Sequence, residues 1–157
     1  MQARLASPDE AEQLWWVRNQ AIRHGCRDVY DGKTLAAWTP DLMPEGYRRA
    51  VANNPFFVVD SPNSQVPVAT GFLDLSSGSV EAIFTLPEFE GRGMATLILD
   101  AIKHEARVRG FTTLLLASTP NASAFYEKNG FTLISESFYP SQLVQTNLRC
   151  MDMTCRL

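Results

Sequence analysis

The sequence predicts an α/β (α+β) fold in which a mixed, mostly antiparallel sheet of six or seven strands carries helices on both faces. Three observations lead to this prediction: a run of three β-type segments joined by polar turns, a strand–helix–strand unit after it, and two further β-type segments near the C-terminus. The 157 residues are 45% hydrophobic and 20% charged, which is typical of a folded globule of ordinary domain size. We expect a single domain over residues 1–157, because no repeat or long linker interrupts the chain.

The N-terminal part is predicted to be a short strand followed by helices. The strand covers residues 3–6, and Ser7 can then cap a helix that has Pro8 in its first turn and Glu10 three residues after the cap. Apolar residues keep helical spacing as far as Gly25, which is expected to end the helix in a left-handed conformation. Further helices are predicted over residues 33–38 and 45–53.

The central part changes to a β pattern and then to a crossover. Three strands at residues 56–59, 67–75 and 80–85 are separated by short polar turns, which indicates an antiparallel meander. The clearest helical periodicity of the chain follows Gly93 and is expected to stop at Gly110. A leucine-rich strand over residues 112–117 comes next, so residues 80–117 have the order of a βαβ crossover.

The C-terminal part is predicted to add one short helix and two strands. The helix covers residues 122–129 and is closed by Gly130. Strands over residues 131–139 and 148–156 are expected to form a hairpin with a long connection.

Charge and cysteine content exclude several classes of protein. Fourteen Lys and Arg against 17 Asp and Glu give a net charge of −3, so neither nucleic acid nor an anionic membrane is an expected partner. Three cysteines at spacings of neither a metal knuckle nor a disulfide framework indicate a reducing compartment and no metal site. The first ten residues lack the apolar core of a signal peptide, and no apolar run approaches the ~20 residues of a spanning helix, so a cytoplasmic protein is expected.

Two glycines, Gly91 and Gly93, stand at the entrance of the clearest helix. Glycine lets a ligand approach the backbone closely, and free amides at a helix start attract anions, so the loop suggests a phosphorylated ligand. It is not a P-loop, because Lys followed by Ser or Thr is missing, and Thr96 occupies the third glycine position of a dinucleotide fingerprint. The loop alone also leaves open that these glycines form only a turn.

Two motifs in this chain resemble those of the GNAT N-acetyltransferase superfamily. The run from Ile83 to Ala95 resembles its acetyl-CoA motif, in which Gln/Arg-x-x-Gly-x-Gly/Ala follows a strand and a proline. The run from Asn121 to Phe131 resembles the second hallmark, Ala-x-x-Phe-Tyr-x-Lys-x-Gly-Phe. Both motifs occur in the same order as in the family, on a strand–helix–strand background. The chain most resembles the small prokaryotic members, and the resemblance covers essentially residues 3–156.

The resemblance implies that acetyl-CoA is the cosubstrate. The backbone of Ile83, Phe84 and Thr85 would pair with its pantetheine arm like an added strand, and Asn121 would be a further polar contact. The amides that would hold the pyrophosphate are those of Gly91, Arg92, Gly93, Met94, Ala95 and Thr96.

Acyl transfer from a thioester to an amine needs a deprotonated amine and a stabilised thiolate. A lysine-like amine has a pKa of about 10.4, so a base must remove its proton at neutral pH. The resemblance implies that Tyr126 is the acid that serves the leaving thiolate. Neighbouring helix positions point about 100° apart, so we expect Phe125 to be the core residue of the pair. We nominate Glu81 as the base, because strand alternation places it on one face with Ile83 and Thr85 unless a bulge intervenes. The alternative is that Glu81 is a solvated strand carboxylate with no catalytic role. The proton would then leave through a chain of water molecules.

These observations favour an N-acetyltransferase that moves an acetyl group from acetyl-CoA to a primary amine by direct transfer in a ternary complex. The acceptor would be a small-molecule or peptide amine, and a covalent route through Cys26 is discounted because no partner for that thiol is visible. The aromatic residues of the N-terminal helices would lie near the acceptor pocket or in the core. They are Trp15, Trp16, Tyr30 and Trp38.

Two departures from the family pattern favour an alternative, a catalytically silent acyl-CoA-binding module of the same fold. Glu90 stands where the family has Gln or Arg, and Thr119 takes a position where many members have Asn. A third hypothesis, a nucleotide-binding α/β protein, follows from the glycine loop alone. A homodimer is left open, since many members of the family dimerise.

Overall fold

The computed structural model describes residues 1–144 and 148–157, which form a seven-stranded sheet flanked by helices, as the sequence predicts. The strand order is β1-β2-β3-β4-β5-β7-β6, and all neighbours are antiparallel except the parallel pair β4 and β5. The strands are β1 (Ala3–Leu5), β2 (Phe56–Asp60), β3 (Pro67–Asp74), β4 (Ser79–Thr85), β5 (Thr113–Ser118), β6 (Thr132–Tyr139) and β7 (Leu148–Arg156).

Helices cover both faces of this sheet because the strands alternate apolar side chains between the faces. The α-helices of the described residues are α1 (Ala11–Gly25), α2 (Gly32–Trp38), α3 (Glu45–Asn53), α4 (Met94–Val108) and α5 (Ser123–Lys128). On β2, Phe56 and Val58 pack in one core cluster with α1 and α3, whereas Phe57 and Val59 pack in the other with α4. No helix in the described ranges has the length and hydrophobicity that crossing a membrane requires.

The predicted start of the first helix is confirmed, and the helix ends at Gly25 as predicted, but Gly25 does not adopt the predicted left-handed conformation. Ser7 and Glu10 form the capping box, and the three residues after Ser7 make one 3₁₀ turn that leads into α1. Gly25 has no positive φ, because the Cys26 N–H donates to the Ile22 carbonyl at 2.9 Å and the helix ends without a left-handed residue. A Cβ at Gly25 would lie 3.3 Å from Asn121 Nδ2, so glycine here permits close approach of another segment.

The predicted meander, crossover and hairpin are confirmed, with ends that differ by no more than two residues. β2, β3 and β4 pair in succession, and β4–α4–β5 forms the parallel crossover. Gly110 and Gly130 have φ of +89° and +96° and follow α4 and α5. β6 and β7 are an antiparallel hairpin, and residues 145–147 of their connection lie outside the described residues.

A β-bulge in β4 changes which residues share a face. Phe72 is opposite Glu81 and Thr70 is opposite Phe84, so β4 carries one residue more than β3 over this stretch, and Ala82 adopts a φ of +53°. The prediction that Glu81 shares a face with Ile83 and Thr85 is therefore wrong. Opposite residues share a face, so Glu81 and Phe84 lie on the α1 side with Phe72.

Gly71 makes room for this bulge. A Cβ at Gly71 would lie 2.7 Å from Ile83 Cγ1 and 2.9 Å from Ile98 Cγ2, which is closer than real carbon atoms approach. The missing side chain lets Ile83 lean over β3 onto α4. The bulge thus sends Ile83 to the α4 side and leaves Glu81 on the α1 side.

Candidate active site

The candidate site is a gap in the sheet between β4 and β5. These strands pair only at Ser79 with Leu115 and at Val80 with Leu116, and beyond Val80 they separate. A cavity of about 630 Å³ fills the gap, lined by the end of β4 on one side and the end of β5 on the other. The β4 edge from residue 82 onward has no strand partner there among the described residues, so its backbone can pair with an extended ligand.

The glycine loop forms one end of this cavity. Gly91 and Gly93 have φ of +76° and +82°, and a Cβ at either position would meet nothing within 4 Å, so both glycines border open space. The first helical bond of α4 runs from the Leu97 N–H to the Gly93 carbonyl at 3.1 Å, which leaves the earlier amides of the helix as free donors. Met94, Ala95 and Thr96 line the cavity with these amides.

Arg92 departs from the other loop residues because its side chain lies outside the cavity. The side chain is exposed, its guanidinium carbon sits 5.0 Å from the centre of the Phe89 ring, and Nη2 donates to the Glu88 carbonyl at 3.4 Å. Glu90 lines the cavity mouth instead. The charged residue of this loop that lines the cavity is therefore an acid.

Tyr126 lies at the middle of the cavity wall, on α5. It is 5% exposed and packs edge-on against Phe125 and Phe131, with ring centres 5.1 and 5.7 Å apart. Phe125 is the less buried of the pair, so the prediction that Phe125 is the core residue is wrong: the turn of α5 directs the tyrosine inward. Burial raises the pKa of Tyr126, and the nearby charge of Glu81 raises it further, so the phenol is protonated at neutral pH.

Glu81 reaches the same cavity from β4. It is half-buried, and Ser79 Oγ donates to its Oε1 at 3.0 Å. Burial raises the pKa of Glu81, the hydrogen bond from Ser79 opposes that rise, and the charge of Asp74 adds to it. The structure thus brings a partly desolvated carboxylate within electrostatic reach of the Tyr126 phenol.

Cys26, Thr119 and Asn121 meet at the cavity wall opposite β4. Cys26 Sγ contacts Asn121 Oδ1 at 3.5 Å, and burial raises the pKa of the thiol to about 11. A thiol with so high a pKa is a poor nucleophile at neutral pH. Thr119 and Asn121 both line the cavity, so a polar side chain stands at each position.

Two cavity residues, Arg18 and Tyr139, were missed by sequence reasoning. Arg18 carries a signal that could have found it: it stands between Leu14 and Ile22 at helical spacing, where an apolar residue is expected. Tyr139 ends β6 and carries no such signal. Its pKa is raised by burial and by Glu81 and is lowered by Arg18, so its hydroxyl lies within reach of both charges.

The cavity fits a CoA thioester. It offers an unpaired strand edge for an extended arm, free amides at a helix start for phosphate groups, and open space above both glycines. Within residues 1–144 and 148–157 no cluster of three or more metal-ligating side chains occurs.

Comparison with solved structures identifies this fold. A GCN5-related N-acetyltransferase structure from Rhodopseudomonas palustris has a TM-score of 0.88 at 20% identity, covering 99% of this chain and 94% of the other. PaiA N-acetyltransferase from Thermoplasma acidophilum, solved with coenzyme A, has a TM-score of 0.74 at 15% identity over 100% of both chains. YncA from Salmonella typhimurium, solved with acetyl-CoA, has a TM-score of 0.65 at 19% identity, and the match covers 100% of this chain and 94% of YncA. At these identities the likeness establishes the fold.

Sequence comparison identifies the family. A curated Bacillus subtilis (strain 168) protein, the acetyltransferase candidate BSU40680, is 30% identical over 78 residues, which is 48% of this chain and 53% of that protein. The match thus spans about half the length of that relative. The acetyltransferase (GNAT) domain family matches residues 26–157, and the chain belongs to this family.

Proposed function

We propose that the protein is an N-acetyltransferase that moves an acetyl group from acetyl-CoA to a primary amine of a small molecule or peptide. Transfer is direct, within a ternary complex, in one cytoplasmic domain that spans residues 1–157. The observation that carries the proposal is the meeting of Tyr126 and Glu81 in one cavity beside a glycine loop whose amides are free.

Acetyl-CoA would enter along β4. The backbone of Ile83, Phe84 and Thr85 pairs with the pantetheine arm, because the separation of β4 from β5 leaves that edge open. The pyrophosphate sits on the amides from Gly91 to Thr96, and Asn121 contributes a polar contact from the opposite wall. Arg92 contributes its backbone amide, since its side chain lies on Phe89.

Tyr126 stabilises the leaving thiolate. The amine nitrogen attacks the thioester carbon, the C–S bond breaks, and the sulfur gains negative charge that a phenol can meet with a hydrogen bond. The raised pKa of Tyr126 makes full proton transfer from the phenol to a thiolate of pKa about 8.5 unfavourable. Tyr126 therefore acts as a hydrogen-bond donor, and the CoA thiol takes the second proton that the nitrogen loses, the one released as the C–N bond forms and the C–S bond breaks.

Glu81 removes the first proton, which the incoming ammonium group loses before attack, and passes it to solvent. A carboxylate whose pKa is raised by burial is a stronger base than a solvated one, and Glu81 still has a hydrogen bond from Ser79 that holds its orientation. The bulge in β4 supports this role, because it places Glu81 on the α1 side of the sheet, away from the Ile83 side chain.

The alternative is a catalytically silent acyl-CoA-binding module. The position of Glu90 at the cavity mouth favours it, since a carboxylate beside the pyrophosphate site weakens the binding of an anionic ligand. The pairing of Tyr126 with Glu81 argues for turnover, because binding alone requires neither group.

The Tyr126→Phe variant separates these functions. We expect kcat to fall roughly 100-fold or more while the Kd for CoA stays within about threefold, since the variant removes one catalytic hydroxyl and no ligand-binding amide. Tyr47→Phe is the matched control: Tyr47 is a half-buried tyrosine whose enclosed hydroxyl has no partner in the described residues, and it does not line the cavity. An unchanged kcat in Tyr126→Phe would remove Tyr126 from the mechanism.

A further inference from the structure

Arg18 of α1 is a buried cation at the end of the cavity nearest α2. The residue is 8% exposed, and burial lowers its pKa to about 10. Arginine is rarely buried to this extent without an anionic partner. No carboxylate of residues 1–144 and 148–157 forms an ion pair with it.

The neighbours of Arg18 occupy only one part of its guanidinium group. Nη1 donates to Asn19 Oδ1 at 2.7 Å and to the Trp38 carbonyl at 3.0 Å, and the guanidinium carbon lies 4.2 and 5.5 Å from the ring centres of Trp15 and Trp38. These contacts hold the plane of the group between two indoles. All of them are with neutral groups.

The remaining edge of the guanidinium group has no hydrogen-bond acceptor among the described residues. Nε and Nη2 donate to no described residue, and neither is among the fully enclosed polar atoms that lack a partner. Both nitrogens therefore keep some accessible surface, and Arg18 lines the cavity. Nε and Nη2 together form the side of arginine that binds a carboxylate through two parallel hydrogen bonds.

Arg18 lies on the acceptor side of the proposed reaction. Arg18 on α1 and Glu81 on the face of β4 toward α1 line the same cavity, and the Tyr139 hydroxyl feels the charges of both. The cavity thus holds an unneutralised cation and a carboxylate near one tyrosine, and the two do not pair with each other. This arrangement matches a ligand that carries both a negative and a positive group.

We propose that Arg18 binds a carboxylate of the acceptor, so that the substrate is an amine that also carries a carboxylate, with its amino group directed at Glu81. The inference rests on the proposed function and adds the substrate class to it. An amine without a carboxylate would leave the free edge of Arg18 desolvated and unpaired, which disfavours its binding.

The test compares paired acceptors in the wild-type enzyme. Glycine, β-alanine and 4-aminobutyrate are assayed against the corresponding carboxamides, with acetyl-CoA saturating. We expect kcat/KM to favour at least one carboxylate over its amide by roughly 10- to 100-fold, as for a charge-assisted hydrogen bond made or lost. Equal or higher values for every amide would overturn the proposal without any variant.

Two arginine variants locate the effect. In Arg18→Met we expect the ratio of carboxylate to amide kcat/KM to fall close to one, and in Arg18→Lys to an intermediate value, because lysine keeps the charge and loses the two-nitrogen edge. Arg23→Met is the matched control on the same helix: Arg23 pairs with Asp41 at 2.9 Å and does not line the cavity, so the ratio should stay at its wild-type value. A ratio that persists in Arg18→Met would overturn the proposal.

A binding measurement separates this proposal from the proposed function. The preferred aminocarboxylate should raise the midpoint temperature of thermal unfolding of the CoA-bound protein in the wild type and in Arg23→Met. It should not raise this temperature in Arg18→Met. Acetylation of amines with no carboxylate preference would refute the Arg18 assignment alone. Stabilisation by an aminocarboxylate through Arg18 without any turnover would refute the transferase and retain the carboxylate site. Binding of CoA by Arg18→Met and by Arg18→Lys would show that these two variants fold.

Discussion

The Gly71→Ala substitution tests whether the bulge in β4 builds the site. The new Cβ would lie 2.7 Å from Ile83 Cγ1, 2.9 Å from Ile98 Cγ2 and 3.2 Å from the Ile83 Cα, so one of its contacts is with backbone. Side-chain rotation can relieve the first two contacts, but the third requires β4 to move. We expect a destabilisation of about 1–3 kcal/mol, the usual cost of overpacking a core.

The measured quantities are the free energy of unfolding in urea and the Kd for CoA. For a chain of this size the loss corresponds to a midpoint about 2–12 °C lower, at roughly 2–4 °C per kcal/mol. Movement of β4 shifts the Ile83 backbone that is proposed to pair with pantetheine, so we expect Kd to rise roughly 2- to 10-fold, as for one hydrogen bond weakened.

Gly46→Ala is the matched control for this substitution. Gly46 lies exposed in α3, and its new Cβ would meet only Arg49 Nη2 at 3.5 Å, so the change should stabilise by up to about 1 kcal/mol and leave Kd unchanged. Ile83→Ala removes the nearest clash and should reduce the cost of Gly71→Ala in the double variant. A Gly71→Ala protein with wild-type stability and wild-type Kd would refute the link between this glycine, the bulge and the site.

The remaining predictions concern the two acids of the cavity. Burial raises the pKa of Glu81 in the fold, so its favourable contribution to stability is complete below the unfolded pKa and is lost as the pH rises through the folded pKa. In urea unfolding at a series of pH values, Glu81→Gln should therefore gain stability relative to the wild type as the pH rises. Its pH–rate profile should lose the acid limb that belongs to this carboxylate, and an unchanged limb would show that another group is the base. Glu90→Gln should tighten CoA binding roughly two- to fivefold at low salt and less at high salt in titration calorimetry, because it removes a negative charge from the cavity mouth. The exposed Glu88, which does not line the cavity, provides the control variant Glu88→Gln, and an equal gain there would show only a general charge effect.

Local sequence signals account for most of the fold. The Ser7 capping box, the glycines after α4 and α5, and the period-two alternation of Phe56 to Val59 each act within a few residues, so their patterns predict the structure directly. The conformation of Gly25 is an exception: α1 ends there as predicted but without a left-handed residue, and the lack of a side chain serves the close approach of Asn121, which is distant in the sequence.

The site depends on contacts that a single segment does not contain. The face on which Glu81 lies is set by the bulge, and the bulge requires a strand partner, Gly71, that lacks a side chain. The burial of Arg18 similarly requires Trp38 from another helix. The sequence therefore indicates Tyr126 and Glu81 as candidates, but it predicts the wrong face of β4 for Glu81 and does not indicate Arg18.

Product formation is the most direct test of the central claim. The purified protein is incubated with acetyl-CoA and the amine panel, and both the acetylated amine and the released CoA thiol are quantified by mass spectrometry and thiol titration. The account predicts one acetylated amine per thiol released, at a rate that depends on Tyr126. Stabilisation by acetyl-CoA with no acetylated product from any amine would contradict it and leave an acyl-CoA-binding module.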